Sequence, residues 1–273
     1  MTPEADDFKA DSDALAAILD GASTDVFSMP TQFKAWTIED VIAHLHMWNC
    51  AAMLTLDDRD AFTDFLKAVV QAMIAGKSHM EVQRAWLDAH EDGARGADLV
   101  ERWRQRYETT ASAYRNADPE VRLAWAGPEM SARAAIVARQ METWAHGQAV
   151  FDILGLVREE ADRVRNICHL GVTTYSWTFR NRGEEPPRPK PFVRLAAPSG
   201  AIWEWNEPQT DNLVSGIAVE FAQVAAQTRN IADTALETKG AAAERWMRFA
   251  QCFAGQPETP PARGIRFRVS RPA

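Results

Sequence analysis

The chain has 273 residues, a net charge of -8 at pH 7 and three cysteines. That length allows one large or two ordinary domains with a buried core. The acidic balance argues against a nucleic-acid-binding protein, for which a basic patch is expected. The start of the chain, from Met1 to Asp7, is acidic and has no apolar run. It therefore argues against a secretory signal and a membrane anchor, and we expect a cytoplasmic protein with no membrane partner.

The cysteines limit the kind of metal site that we expect. Cys50, Cys168 and Cys252 are odd in number, widely separated and without Cys-x-x-Cys spacing. This pattern argues against a disulfide framework and against a thiolate zinc site, so we interpret them as reduced, small hydrophobic residues. A metal in this protein would then need histidine and carboxylate ligands.

Helical periodicity dominates the first half of the chain. Apolar residues from Phe8 to Leu19 predict a first helix, and Thr37 is the expected N-cap of a second, with Asp40 three residues later. In that second helix His44 and His46 point about 160° apart, so they cannot serve one site. His44 is the better candidate for a metal ligand. A lone histidine of this kind is more often a satisfied core residue, and only pairing with Glu142 and His146 favours ligation. We expect His46 to support the site or to face a partner.

Four further helices are predicted in this half. Residues 60 to 75 and 80 to 89 are interpreted as packing helices, and a longer amphipathic helix runs from Leu99 to about Arg115. Ser131 is placed to cap the next helix, which Gly155 ends.

The last of these helices carries Glu142 and His146, four residues apart. On a helix this spacing lets a carboxylate and an imidazole reach the same point, and small apolar residues on the same face indicate that the pair points inward. A buried carboxylate needs a compensating cation or donor. The residues alone leave open whether that is a metal, a hydrogen-bonded Glu–His pair joining two helices, or Arg139 as the partner of the carboxylate.

These patterns predict a mainly α protein of two domains. Four long helices before residue 155, two of them with inward ligands, predict a four-helix bundle with an interior metal site in residues 1–155. Residues 156–273 are predicted to form a small α+β domain. Its expected elements are a helix over 159 to about 179, a Pro-rich connector over 183–191, a hairpin over 192–205, helices over 214–228 and 241–253, and a strand over 265–269.

Several runs of residues resemble a known family. Residues 36–45, Trp-Thr-Ile-Glu-Asp-Val-Ile-Ala-His-Leu, resemble the second-helix motif of the DinB-like superfamily in its mycothiol-dependent maleylpyruvate isomerase branch. Residues 125–133 and 141–148 are similar to an uncharacterised family of metal-binding proteins within that branch. Residues 196–200, 203–205 and 250–255 are similar to the same family, and the second half also resembles a small domain of wyosine-forming proteins of tRNA modification. The latter similarity carries no catalytic residue and does not imply an RNA substrate.

The resemblance implies a divalent metal, most often zinc, held by His44, Glu142 and His146. Three protein ligands leave a coordination position open, as a catalytic zinc requires. It also implies a low-molecular-weight thiol and a small-molecule substrate, and it allows a homodimer. We therefore expect a metal-dependent, thiol-using transferase or isomerase.

The alternative is a non-catalytic metal-binding or ligand-sensing protein with a structural metal. A fourth protein ligand, from His46, Asp152 or His169, would favour that alternative, because structural sites are closed.

Overall fold

A computed structural model describes residues 1–270 and divides the chain into two compact units. The first unit is Met1–Ile153, and the second begins at Leu154. The last three residues of the predicted second domain, 271–273, lie outside the described residues. The predicted class is confirmed: the chain is mainly helical, with a small sheet in its second half. Within residues 1–270, every helix is too short or too polar to cross a lipid bilayer.

The first unit contains seven helices and one short hairpin among the described residues. The helices are α1 (Glu4–Ala17), α2 (Thr24–Phe27), α3 (Ile38–Asp57), α4 (Arg59–Ile74), α5 (His79–His90), α6 (Gly96–Asn116) and α7 (Ala132–Ile153), and the hairpin pairs β1 (Arg122–Leu123) with β2 (Met130–Ser131). Helices α1, α3, α6 and α7 form the centre: α1 packs on α6 and α7, and α3 packs on the same two. The large buried side chains between them are Phe8, Trp103, Tyr107, Tyr114 and Trp144.

Capping residues fix where the two site-bearing helices begin. The Thr37 side chain accepts a hydrogen bond from the backbone N–H of Asp40, and the Asp40 side chain accepts one from the backbone N–H of Thr37, which completes the predicted capping box of α3. The hydroxyl of Ser131 accepts from the N–H of Ala134, as predicted for the start of α7. Gly155, at a φ of 65°, follows the end of α7.

The second unit has a four-stranded sheet with the order β4-β3-β5-β6. The hairpin of β3 (Phe192–Ala196) and β4 (Ile202–Trp205) was predicted, and it is antiparallel. Strand β5 (Leu213–Ile217) runs parallel to β3, and β6 (Glu237–Lys239) runs antiparallel to β5. The helices of this unit are α8 (Val164–Thr173), α9 (Tyr175–Arg180), α10 (Ala218–Ala225) and α11 (Ala241–Phe249).

Three predictions for this unit were wrong in part. The helix expected over 159–179 begins only at Val164 and is interrupted at Thr174. The helix expected over 214–228 is a strand followed by a helix, because Val214 pairs with Val193 on the parallel neighbour, and a short apolar run does not distinguish the two structures. The strand expected over 265–269 is absent from the described residues. Instead the side chain of Arg266 donates to the carbonyl oxygen of Gln227.

Candidate metal centre

The structure brings the three residues predicted as ligands to one point. His44 lies on α3, and Glu142 and His146 lie on α7. The Nε2 atoms of His44 and His146 are 3.4 Å and 3.1 Å from the same carboxylate oxygen, Oε2 of Glu142. One ligand atom from each residue lies within 4.8 Å of the other two. The side chains are mostly buried, with His44 the least exposed at 10 % and Glu142 the most exposed at 24 %.

Burial and charge set the ionisation of the group. Burial lowers the pKa of His44 to about 4, against the opposing effect of the Glu142 carboxylate, so this imidazole is neutral at pH 7. Burial by itself would raise the pKa of Glu142, but hydrogen bonds and charge interactions with His146 and His44 hold that pKa well below its ordinary value. A neutral imidazole and an ionised carboxylate are the states in which these side chains bind metals.

Two aromatic residues from the loop before α3, Phe33 and Trp36, cover His146, and we call them the aromatic roof. The indole of Trp36 is stacked on the imidazole at 5.6 Å between ring centroids, and the ring of Phe33 meets it edge-on at 4.9 Å. Between the two, Lys34 and Ala35 have φ values of 51° and 56°, in the left-handed region that is uncommon for residues other than glycine. The tight turn that results places both rings on the same imidazole.

Arg139 was predicted as a rival partner for Glu142. Arg139 as a whole is 2 % exposed. Its Nε donates to Oδ1 of Asn49 at 3.0 Å, and its terminal amino group donates to the carbonyl oxygen of Leu45 at 3.3 Å. Both acceptors lie on α3, so these hydrogen bonds join α7 to α3. Arg139 acts on Glu142 through charge, while its hydrogen bonds fix the two helices that carry the ligands.

The residues considered as a fourth ligand lie elsewhere. Oδ1 of Asp152 accepts a hydrogen bond from Gln148, and His169 belongs to the second unit, where its Nδ1 accepts from the indole N–H of Trp205. His46 points away from His44, as predicted, and contacts Glu91. Within residues 1–270 the group is therefore formed by two imidazoles and one carboxylate.

The arrangement fits a divalent cation. Two ligands at about 2.0 to 2.1 Å from a tetrahedral zinc lie about 3.3 Å apart, close to the two nitrogen-to-oxygen distances here. A charge-assisted hydrogen bond between an imidazole and a carboxylate would be shorter than these two distances, at about 2.7 to 2.9 Å. The donor set of two histidine nitrogens and one carboxylate oxygen is also typical of zinc sites that keep a position for water or substrate.

A second group of possible ligands was missed from the sequence. His46, Cys50 and Glu91 also place one ligand atom each within 4.8 Å of one another. The signal was present, because His46 and Cys50 are four residues apart on α3, the spacing that drew attention to Glu142 and His146. Glu91 lies 41 positions beyond Cys50 in the sequence, and only the packing of α5 against α3 brings it there.

Comparisons with known proteins match the first unit to a family and most of the chain to two relatives. Residues 8–151 match the family model described as the mycothiol maleylpyruvate isomerase N-terminal domain. Uncharacterized proteins from two strains of Mycobacterium tuberculosis are 32 % identical to the chain over 258 residues, which is 94 % of this chain and 96 % of each relative.

Two solved structures also match, the mycothiol-dependent maleylpyruvate isomerase and a single-residue variant of it. Each has 14 % identity and a TM-score of 0.49, over 82 % of this chain and 88 % of that one. The family match spans more than half of the residues, and on that match the chain belongs to the family of mycothiol maleylpyruvate isomerase N-terminal domains.

Proposed function

We propose that this protein binds a divalent metal, with zinc the best fit. We further propose that it is a thiol-dependent isomerase or transferase that acts on a small molecule and uses the metal in the reaction. His44, Glu142 and His146 are the proposed ligands. The observation that carries the proposal is the convergence of three metal-binding side chains from two helices beneath the aromatic roof. Packing alone does not require two imidazoles to face one carboxylate oxygen.

When bound, a divalent cation would act as a Lewis acid that favours the deprotonated form of a coordinated thiol or water at neutral pH. The residues of the chain have separate tasks around it. Glu142 supplies the negative charge and, through Oε2, faces both imidazoles. Trp36 and Phe33 fix the plane of the His146 ring and exclude water from one side of it. Arg139 holds α7 against α3, so that His44 meets Glu142.

The proposed thiol comes from the family. Its description names mycothiol and maleylpyruvate, which makes a low-molecular-weight thiol the first cofactor to test and a small organic acid the first substrate class. Three ligands from the described residues leave room for such a thiol on the metal. The number of three protein ligands also argues against the alternative, a structural metal in a ligand-sensing protein. A structural zinc normally has four protein ligands and no free coordination position.

The predictions for other features remain predictions. The resemblance of the second half to a wyosine-forming domain, the homodimer and the cytoplasmic location are untested, and we assign no task to the second unit.

Calorimetric titration with mycothiol tests the proposed function. Zinc-loaded protein should bind the thiol, and protein treated with a chelator should not. The His44→Ala variant should behave like the chelated protein, while His90→Ala, which alters an exposed histidine of α5, should behave like the wild type. Isomerisation of maleylpyruvate, followed with and without mycothiol, extends the test to activity. Equal thiol binding by loaded and chelated protein would contradict a metal-bound thiol.

A further inference from the structure

The group formed by His46, Cys50 and Glu91 lies on the side of α3 opposite to His44. His46 and Cys50 are one helical turn apart on α3, and Glu91 immediately follows α5. Imidazole, thiol and carboxylate are all ligand types that zinc accepts. The proposed function uses none of these three residues.

His46 is buried without a hydrogen bond. It is 1 % exposed, and neither ring nitrogen has a hydrogen-bond partner among the described residues. Its Nε2 lies 3.1 Å from Oε1 of Glu91, but the approach misses hydrogen-bond geometry. A buried polar group normally has a partner, and a separation of about 3.3 Å is the one expected between two ligands of a tetrahedral zinc.

The surroundings of Glu91 resemble those of a supported ligand. Arg102 approaches the other carboxylate oxygen, Oε2, at 3.1 Å and leaves Oε1 facing His46. Metal-binding carboxylates are commonly held by such an outer hydrogen bond. The charge of Arg102 is shared with Asp98, which lies 3.1 Å from its Nε. The positive charge of Arg106, close to Cys50, opposes the rise in the thiol pKa that burial causes.

Two members of the group lie at the wall of a groove that is open to solvent. A groove of about 480 Å³ is lined by His46 and Glu91 together with residues of α6, among them Arg102 and Arg106. A cation could therefore enter, and a water molecule could complete its coordination.

We propose that His46, Cys50 and Glu91 form a second metal site, which takes a zinc-like divalent cation through one nitrogen, one sulfur and one oxygen ligand. Burial raises the pKa of the Cys50 thiol to about 12, so the thiol is protonated before the metal arrives. Binding forms a metal–sulfur bond, and the thiol proton leaves to solvent, so one proton is released for each cation bound. No oxidant or reductant is needed.

Cobalt(II) distinguishes this site from the first, because only a thiolate ligand gives a sulfur-to-cobalt charge-transfer band in the near ultraviolet. The probe is cobalt(II) alone, added to the reduced full-length protein without a histidine tag. The wild type should show the band, and Cys50→Ser should lose it. The matched variants Cys168→Ser and Cys252→Ser, which alter buried cysteines of the second unit, should keep it.

Two further variants separate this proposal from the proposed function and from misfolding. Glu142→Ala removes a ligand of the first site and should leave the charge-transfer band in place. Glu91→Gln keeps the size of the side chain but removes the charge of a direct ligand. It should weaken cobalt binding at the second site at least about ten-fold, the loss seen when only a residue that supports a ligand is changed. Absence of the band from wild-type protein would overturn the proposal, and so would a band of full strength in folded Cys50→Ser. Displacement of the bound cobalt by zinc, with loss of the band, is the expected competition result.

Discussion

The imidazole of His146 lies parallel to the indole of Trp36, with an angle of 2° between the ring planes and 5.6 Å between the centroids. The stack holds a proposed ligand in one orientation from outside its own helix. Trp36→Ala should therefore weaken zinc affinity about ten-fold, as loss of a residue that orients a ligand does. It should also lower the free energy of unfolding of metal-free protein by about 3 kcal/mol, because a buried ring is lost.

Trp36→Phe and Trp125→Ala are the controls for this prediction. The phenyl ring can still stack, so Trp36→Phe should lose less zinc affinity and less unfolding free energy than Trp36→Ala. Trp125 lies between β1 and β2, and its change to alanine should leave zinc affinity unaltered. Zinc affinity measured by competition with a chelating dye decides the matter, and equal affinity in Trp36→Ala and the wild type would show that the stack has no part in binding.

Two capping boxes of the first unit provide a matched pair of variants. Thr37 caps α3 beside the aromatic roof, and Ser78 caps α5 on the surface. Loss of either hydroxyl, as Thr37→Ala or Ser78→Ala, should lower the free energy of unfolding by about 1 kcal/mol. Only Thr37→Ala should also weaken zinc binding, because Thr37 directly follows Trp36, so a loosened start of α3 would displace a ring of the roof. Denaturant unfolding and zinc titration of both variants test this, and parallel loss of zinc affinity would refute a special role for the roof loop.

The stability of metal-free protein should depend on His44 between pH 7 and pH 5. The pKa of His44 is lowered from 6.5 to about 4 in the folded protein, chiefly by burial. Between those values the unfolded chain binds a proton that the folded chain does not, so the free energy of unfolding falls as the pH falls. The His44 contribution to that loss is about 2 kcal/mol at pH 5.

Urea unfolding in the presence of a chelator, at both pH values, measures this contribution. His44→Gln should lose less stability than the wild type on going to pH 5, and His90→Gln should follow the wild type. Identical pH dependence in His44→Gln and the wild type would mean that burial does not keep His44 neutral.

Most helices of the first unit could be predicted from helical periodicity and capping residues. The amphipathic pattern, Thr37 and Gly155 located α3 and α7, and the angles between positions on one helix separated His44 from His46. Periodicity also placed His44 and Glu142 on inward helix faces, but it left a Glu–His pair and Arg139 open as alternatives. The set of three ligands was implied by the family resemblance.

Contacts between distant segments could not be predicted in the same way. The roof depends on left-handed backbone at Lys34 and Ala35, for which the sequence offers no glycine as a signal. The second group depends on Glu91 reaching α3 from the end of α5. In the second unit, β5 was mistaken for helix because its pairing with β3 joins residues about twenty positions apart, which local periodicity does not report.

Gly240 tests the packing of the second unit separately from the metal site. Its φ is 90°, and a side chain there would overlap the carbonyl oxygen of Asp211. Gly240→Ala should therefore lower the free energy of unfolding by about 3 kcal/mol or more. Gly200 has a φ of 86° but open space around it, so Gly200→Ala should cost only about 1 kcal/mol. Denaturant unfolding measures both, and an equal effect of the two variants would contradict the close approach at Gly240.

The metal content of the untagged protein tests the central claim most directly. Elemental analysis of wild-type protein should find bound divalent metal, and Glu142→Ala and His146→Ala should each contain one equivalent less. His90→Ala should contain as much as the wild type. Circular dichroism confirms that the variants are folded. Metal content unchanged by either ligand substitution, or a wild-type protein that takes up no divalent metal at neutral pH, would contradict the assignment of His44, Glu142 and His146 as a metal centre.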